Sequence, residues 1–246
     1  MINLYHRNTN NIGDLSCSPA RYFGIDCVED DLSEYMQYVE QDIIFGGGML
    51  LKKMGKWKVL SQVQGLKIGW GIGHARYRQG DGPFDYSKTP FLKQFDLLGV
   101  RDFGIGLKYV PCPSCMSVLF DKTYEMTRPV VFYENSEAKP LLGSPRFGNE
   151  AQSMQEVLEF LGSAELIVTS SYHGVYWSML LGRKVIAVPF NSKFYTFRHD
   201  IPKCELKDWR SKRKEAAIYS GFLEESRELN RRFHERVLNY CGDNKR

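Results

Sequence analysis

The chain has 246 residues, of which 43% are hydrophobic and 25% charged, a balance that suits a folded protein and excludes a mainly disordered one. No apolar run reaches the ~18 residues that span a bilayer, and the segment after Met1 enters a strand pattern without a signal-peptide core, so a cytoplasmic location is expected. The net charge of +4 falls wholly in Lys207 to Arg246, where 11 Lys/Arg meet 7 Asp/Glu; without a dense basic stripe or a reading module, no nucleic-acid partner is expected.

Ile2 to His6 reads as a strand, followed by the polar loop Arg7 to Asp14 and a short helix over Leu15 to Phe23. Asp42 to Phe45 and Leu66 to Trp70 are short apolar strands that run into glycines, and Phe95 to Val100 leads into Arg101-Asp102. A second series opens at Pro129 to Tyr133. It continues with a helix over Gln152 to Leu161, a strand at Leu166 to Thr169, a helix over His173 to Leu181 and a strand at Lys184 to Val188. Short apolar strands alternating with helices predict an α/β fold with parallel sheets covered on both faces. The polar, proline-containing stretch Asp121 to Pro129 divides the chain into residues 1–125 and 126–246. From about Lys214 to Tyr240, Tyr219, Phe222, Leu229, Phe233, Val237 and Tyr240 fall near one stripe of an amphipathic terminal helix. Its basic residues read either as a solvated face or as a weak contact for an anionic membrane surface.

Ligands of parallel α/β sheets bind beyond the carboxyl ends of the strands, and the notable residues of this chain fall there. Glycines at Gly46-Gly47-Gly48 and at Gly71 and Gly73 allow backbone to approach an anion, or simply make tight turns. Neither cluster is a dinucleotide fingerprint or a phosphate-binding loop. Ser170 and Ser171 are expected to cap the helix that follows, which puts His173 in its first turn. The helix dipole there disfavours imidazolium and suits proton transfer beside an anion; the alternative is a capped helix with a structural histidine.

Six cysteines are scattered along the chain and are expected to be reduced thiols. Cys112 and Cys115 form a CxxC between prolines, but no second close pair of Cys or His is visible to complete a zinc site. The pair reads as a rigid turn, and no metal is expected.

Taken in order, Asn11-x-Gly13-Asp14, Gly46-Gly47-Gly48, Gly71-x-Gly73, Val100-Arg101-Asp102, Thr169-Ser170-Ser171-Tyr172-His173-Gly174 and Leu181-Gly182-Arg183-Lys184-Val185-Ile186 resemble the polysaccharide pyruvyl transferase family over about residues 8 to 200. The resemblance implies two Rossmann-like domains facing a cleft, similar to the GT-B architecture. It also implies transfer of pyruvate from phosphoenolpyruvate to a sugar of a polysaccharide or lipid-linked oligosaccharide, forming a cyclic ketal without a cofactor. By resemblance, His173 is the acid/base and Arg101 holds the donor's anionic groups. Asn11, Gly13, Gly46 to Gly48, Ser170, Ser171 and Gly174 line the donor site. Asp14 either takes a hydroxyl proton or caps the helix after its loop. Many members carry an arginine where this chain has Ser171, so one anion-binding charge is either missing or supplied from elsewhere, by Lys193 or Arg198. Many also carry Asp-Pro where this chain has Cys112-Pro113, and 246 residues is short for the family. Two other readings stay open: a sugar-nucleotide glycosyltransferase of similar shape, for which no acidic ribose ligand is apparent, and a non-catalytic saccharide-binding protein. A lipid-linked acceptor would make weak peripheral contact with the inner membrane face useful.

Overall fold

The computed structural model describes residues 1–76 and 82–243. Five parallel strands form the first sheet: β1 (Ile2–Tyr5), β2 (Val28–Asp31), β3 (Ile43–Gly46), β4 (Lys67–Ile72) and β5 (Leu97–Val100), in the order β2-β1-β3-β4-β5. The second sheet is also parallel. Its strands are β6 (Arg128–Glu134), β7 (Arg146–Gly148), β8 (Ala164–Thr169) and β9 (Lys184–Ala187), in the order β7-β6-β8-β9. Strands β1 and β3 are buried throughout, and β8 nearly so, as sheets covered on both faces require. The expected α/β class is therefore observed, with a sheet in each half of the chain.

Two edge strands carry no such apolar run. Strand β2 is Val-Glu-Asp-Asp and β7 is Arg-Phe-Gly; each is held by parallel pairing to one neighbour, β1 and β6. The helix expected over Leu15 to Phe23 is instead two single turns, α1 (Ile12–Leu15) and α2 (Ala20–Phe23). Pro19 lacks the N–H to continue a helix, and the break leaves Cys17 between the turns. Helices α3 (Leu51–Trp57) and α4 (Val59–Gln62) cover the first sheet. In the second half, α5 (Met154–Gly162) starts on the Ser153 hydroxyl, which accepts from Glu156 N, and α6 (Tyr172–Leu180) is buried at every residue. Gly174 lets α6 cross closely over the sheet, since a Cβ there would lie 2.2 Å from Thr169 Oγ1 and 2.6 Å from the Tyr133 ring.

After the short turn α7 (Trp209–Lys212), the terminal helix α8 (Phe222–Asp243) begins in one core and ends in the other. Phe222 packs with α6 in the second half, whereas Phe233, Val237 and Cys241 pack with Ile44, Ile68 and Trp70 of the first sheet. Its buried stripe contains two polar residues, Ser226 and Asn230. Asn230 Oδ1 accepts from Trp70 Nε1 at 2.8 Å, and its Nδ2 donates to Pro111 O and Cys115 Sγ, each at 3.3 Å. Leaving such groups unsatisfied costs about 1–3 kcal/mol, so the amide fixes where α8 crosses β4. Backbone bonds also join the halves, from Ile12 N to Asn149 O, from Phe103 N to Thr196 O and from Ser192 N to Arg76 O. Among the described residues, no helix is long and apolar enough to cross a membrane.

Candidate functional site

The carboxyl-end loops of both sheets meet at a pocket of about 230 Å³. The first half supplies His6, Asn8, Thr9, Asn11, Asp14, Met49, Lys53 and Arg101. The second supplies Asn135, Glu137, Ser171, Tyr172, His173 and Lys193. Of the residues singled out from sequence, Asn11, Asp14, Arg101, Ser171, His173 and Lys193 line it; Gly13, Gly46, Gly47, Gly48, Ser170 and Gly174 do not.

Arg101 follows β5 directly and is 3% exposed. Its guanidinium carbon lies 4.1 Å from the centroid of the Tyr172 ring, a face that attracts a cation, and its Nε has no hydrogen-bond partner. Gly73 makes room for it, since a Cβ there would fall 2.8 Å from Arg101 Nε. The adjacent Asp102 is engaged elsewhere. It accepts from the Tyr86 hydroxyl, from Thr196 Oγ1 at 2.6 Å and from His74 N at 3.2 Å. Lys193 is likewise buried, with Nζ 5.2 Å from the Phe190 ring. Burial, reinforced by the nearby Arg101 charge, brings its pKa down to about 8. Among the described residues neither cation is in a salt bridge with a carboxylate. Arg198, the other candidate for the missing charge, pairs with Glu225 and lies outside the pocket lining.

The serines before His173 act differently from the sequence expectation. Ser171 occupies the N-cap position of α6 but makes no side-chain cap bond. Ser170 Oγ instead accepts from Asn135 N at 3.1 Å, while Thr169 Oγ1 accepts from Ser171 N and donates to Tyr133 O. These bonds use Thr169 and Ser170 to join β6 and β8, and they leave the Ser171 hydroxyl to the pocket. Asp14 is not a cap either. Asn11 caps α1 by accepting from Gly13 N, and its Nδ2 donates to Asp14 Oδ2 at 3.1 Å. Asp14 thus sits in the first turn of α1 and on the pocket wall.

The glycine loop after β3 serves packing. A Cβ on Gly46 would lie 2.4 Å from Pro19 Cδ, and one on Gly47, which has φ +56°, would lie 2.3 Å from Cys17 Cβ. Gly13 has a direct bearing on the site, because a Cβ there would fall 2.1 Å from His173 Nδ1. The other ring nitrogen, Nε2, is 3.5 Å from both Cys17 Sγ and Cys112 Sγ.

Cys112 and Cys115 do not work as a pair. Cys112 turns toward Cys17 and His173, whereas Cys115 faces Asn230 of α8. Burial pushes both Cys112 and Cys17 up, but hydrogen bonds from Cys17 and His173 outweigh it at Cys112 and hold that thiol well below its usual value. Cys17 stays a thiol, raised by burial and by its bond to Cys112. Cys17, His6, Lys53 and Asn135 carry no periodic or motif signal in their local sequence; proximity alone reveals them.

On the surface, much of the terminal basic charge is neutralised locally. Lys212 pairs with Glu215 at 2.8 Å, Arg231 with Glu224 at 2.8 Å and Arg232 with Glu228 at 2.7 Å. Comparison with protein-family models, with curated proteins and with solved structures gives no match for this chain.

Proposed function

We propose that the chain is a transferase that moves a pyruvyl group from phosphoenolpyruvate to two hydroxyls of a saccharide, forming a ketal, with the two halves facing each other across the pocket in a GT-B-like manner. One observation carries this reading. Two buried cations without carboxylate partners among the described residues, Arg101 and Lys193, line the same pocket as a histidine. Buried charges are ordinarily paired, so such a pocket suits an anion that supplies the missing charge. A donor with a carboxylate and a phosphate offers a group to each cation, and the planar Arg101 fork suits two parallel hydrogen bonds.

In the proposed reaction the donor methylene takes a proton and the adjacent carbon becomes electrophilic. One sugar hydroxyl adds there and loses its proton. The bond to the phosphate oxygen breaks, and a second hydroxyl closes the ketal as it loses its proton. Of the two hydroxyl protons, one balances the new methyl group and the other leaves with phosphate. In this scheme His173 moves them through Nδ1, the nitrogen that packs against Gly13. Cys112, 3.5 Å from the opposite nitrogen, holds and orients the ring. Asp14 is placed to receive the second hydroxyl proton. The cation that holds the phosphate stabilises it as it departs, while the other holds the carboxylate.

The proposed acceptor is a polysaccharide or lipid-linked oligosaccharide made in the cytoplasm. Because the basic residues of α8 and its approach are largely paired, membrane contact would be weak. Salt-sensitive co-sedimentation with anionic liposomes, lost on changing Lys212, Arg213 and Lys214 to Gln, tests it; no binding at low salt refutes it. For the reaction class, thermal-shift titration with phosphoenolpyruvate and with nucleotide sugars is decisive. The proposal expects stabilisation by the former, and stabilisation by a nucleotide sugar alone would overturn it.

A further inference from the structure

Behind the pocket, three side chains from distant parts of the chain converge. Cys17 Sγ and Cys112 Sγ lie 3.4 Å apart, and each is 3.5 Å from His173 Nε2. All three residues are buried, and among the described residues they are the one group of His, Cys, Asp or Glu whose ligand atoms come together closely enough to hold a metal ion. The point equidistant from the corners of this triangle lies about 2.0 Å from each, against about 2.3 Å for a zinc–thiolate bond and about 2.0–2.1 Å for a zinc–imidazole bond. A tetrahedral ion with those bonds sets its sulfurs about 3.8 Å apart and each sulfur about 3.6 Å from the nitrogen, so the ligands need only a small outward shift.

The geometry points to a Zn²⁺ site formed by Cys17 Sγ, Cys112 Sγ and His173 Nε2. Two thiolates and an imidazole form a donor set that selects a borderline-soft ion over magnesium or calcium. The ligands are held in place before any metal arrives. Pro111 and Pro113 flank Cys112, and the Tyr176 hydroxyl donates to its carbonyl at 3.0 Å. Cys17 is wedged against Gly47, and the His173 ring lies 5.1 Å from the Trp177 ring. Both sulfurs bind as thiolates, any proton displaced on binding passes to solvent, and a water molecule takes the fourth position. The local CxxC does not show this site, because Cys112 finds its partners 95 residues before it and 61 residues after it.

One consequence rests on the function proposed above, although the site itself does not. Zinc on Nε2 leaves Nδ1 as a fixed N–H donor, so metal loading and proton shuttling by His173 exclude each other. Zinc therefore silences pyruvyl transfer, and a chelator restores it.

The test uses the full chain, reduced, stripped of metal and titrated with Co²⁺ in the absence of phosphoenolpyruvate. One equivalent should bind with a thiolate-to-cobalt charge-transfer band, and one equivalent of Zn²⁺ should displace it. Cys17→Ser and Cys112→Ser should each weaken binding at least tenfold, while Cys115→Ser binds as the wild type does. X-ray absorption of the zinc-loaded wild type, which needs no variant to fold, should show two sulfurs at about 2.3 Å and an imidazole nitrogen at about 2.0–2.1 Å. Absence of stoichiometric cobalt or zinc binding, zinc without sulfur ligands, or undiminished affinity in Cys112→Ser would overturn the site. Failure to find pyruvyl transfer would leave the cobalt spectrum unaffected, so the two proposals fail separately.

Discussion

The two nitrogens of His173 meet different surroundings. Nδ1 packs against Gly13, and the residue lines a polar pocket together with Asn11, Asp14, Arg101 and Lys193. Nε2 faces two buried sulfurs. On the pocket side Arg101 and Lys193 are buried and form no salt bridge among the described residues, which is the basis for proposing a charged guest there. The sulfur side is buried, and its hydrogen-bonding groups serve one another. On the proposed function, the histidine is fixed through one nitrogen so that the other can react, and a cysteine rather than a carboxylate holds it.

The strongest way to break this comparison is to remove the ring that joins the two sides. His173→Ala should lower pyruvyl transfer by about 10²–10⁴, the usual contribution of a general acid/base, and should abolish metal binding in the same protein. Steady-state kinetics and cobalt titration on one preparation check both effects. Full transfer activity in a pure sample would separate the ring from the chemistry.

Gly13→Ala presses on the Nδ1 side alone. Its Cβ would fall 2.1 Å from Nδ1, so the ring or α1 must move, at about 1–3 kcal/mol for overpacking. Transfer should fall well beyond what thermal unfolding accounts for. An unchanged rate would mean that Nδ1 does not face the reactant.

Arg101→Lys keeps the charge and loses the planar fork. Donor affinity should weaken about tenfold, or about 1.4 kcal/mol, as measured by calorimetry, with cobalt binding on the sulfur side unaffected.

Lys193 sharpens the comparison through pH. Its pKa near 8 means that its charge is present below pH 8 and fades above it, so anion affinity should decline as pH rises through about 8. Its contribution to stability runs the other way. An unfolded lysine keeps its proton to about 10.4, so between about pH 8 and pH 10 the unfolded chain binds more protons and this group's contribution to stability rises with pH. Lys193→Met should flatten both profiles, read by anion titration and by chemical denaturation at pH 7, 8.5 and 9.5.

The sequence shows the scaffold better than the site. Buried strands such as Ile43–Gly46 and Ala164–Thr169 announce themselves as apolar runs, but the edge strand Val28–Asp31 has one apolar residue and is made by backbone pairing that no side chain records. Strand ends point to Arg101, His173 and Asn11, because the topology of parallel sheets fixes where ligands bind. They also point to Gly46 to Gly48, of which Gly46 and Gly47 make room for Pro19 and Cys17, while Gly48 faces Asp14 and His6. The sulfur side is illegible in the sequence for a related reason. Cys112 suggests a local pair with Cys115, yet the polar seam of α8 takes Cys115 through Asn230, and the fold carries Cys17 to Cys112. Lys53 and Asn135 are single polar residues in loops or on a helix face, with nothing local to set them apart from solvent-facing neighbours.

The central claim is that the pocket beside His173 accepts a small donor carrying both carboxylate and phosphate. Isothermal titration of the full chain with phosphoenolpyruvate at pH 7, repeated with inorganic phosphate and with Arg101→Lys, tests it most directly. Saturable binding of one phosphoenolpyruvate per chain, tighter than phosphate and weakened about tenfold by the substitution, is the predicted result. Equal affinity for phosphate and phosphoenolpyruvate, or binding indifferent to Arg101→Lys, would contradict it.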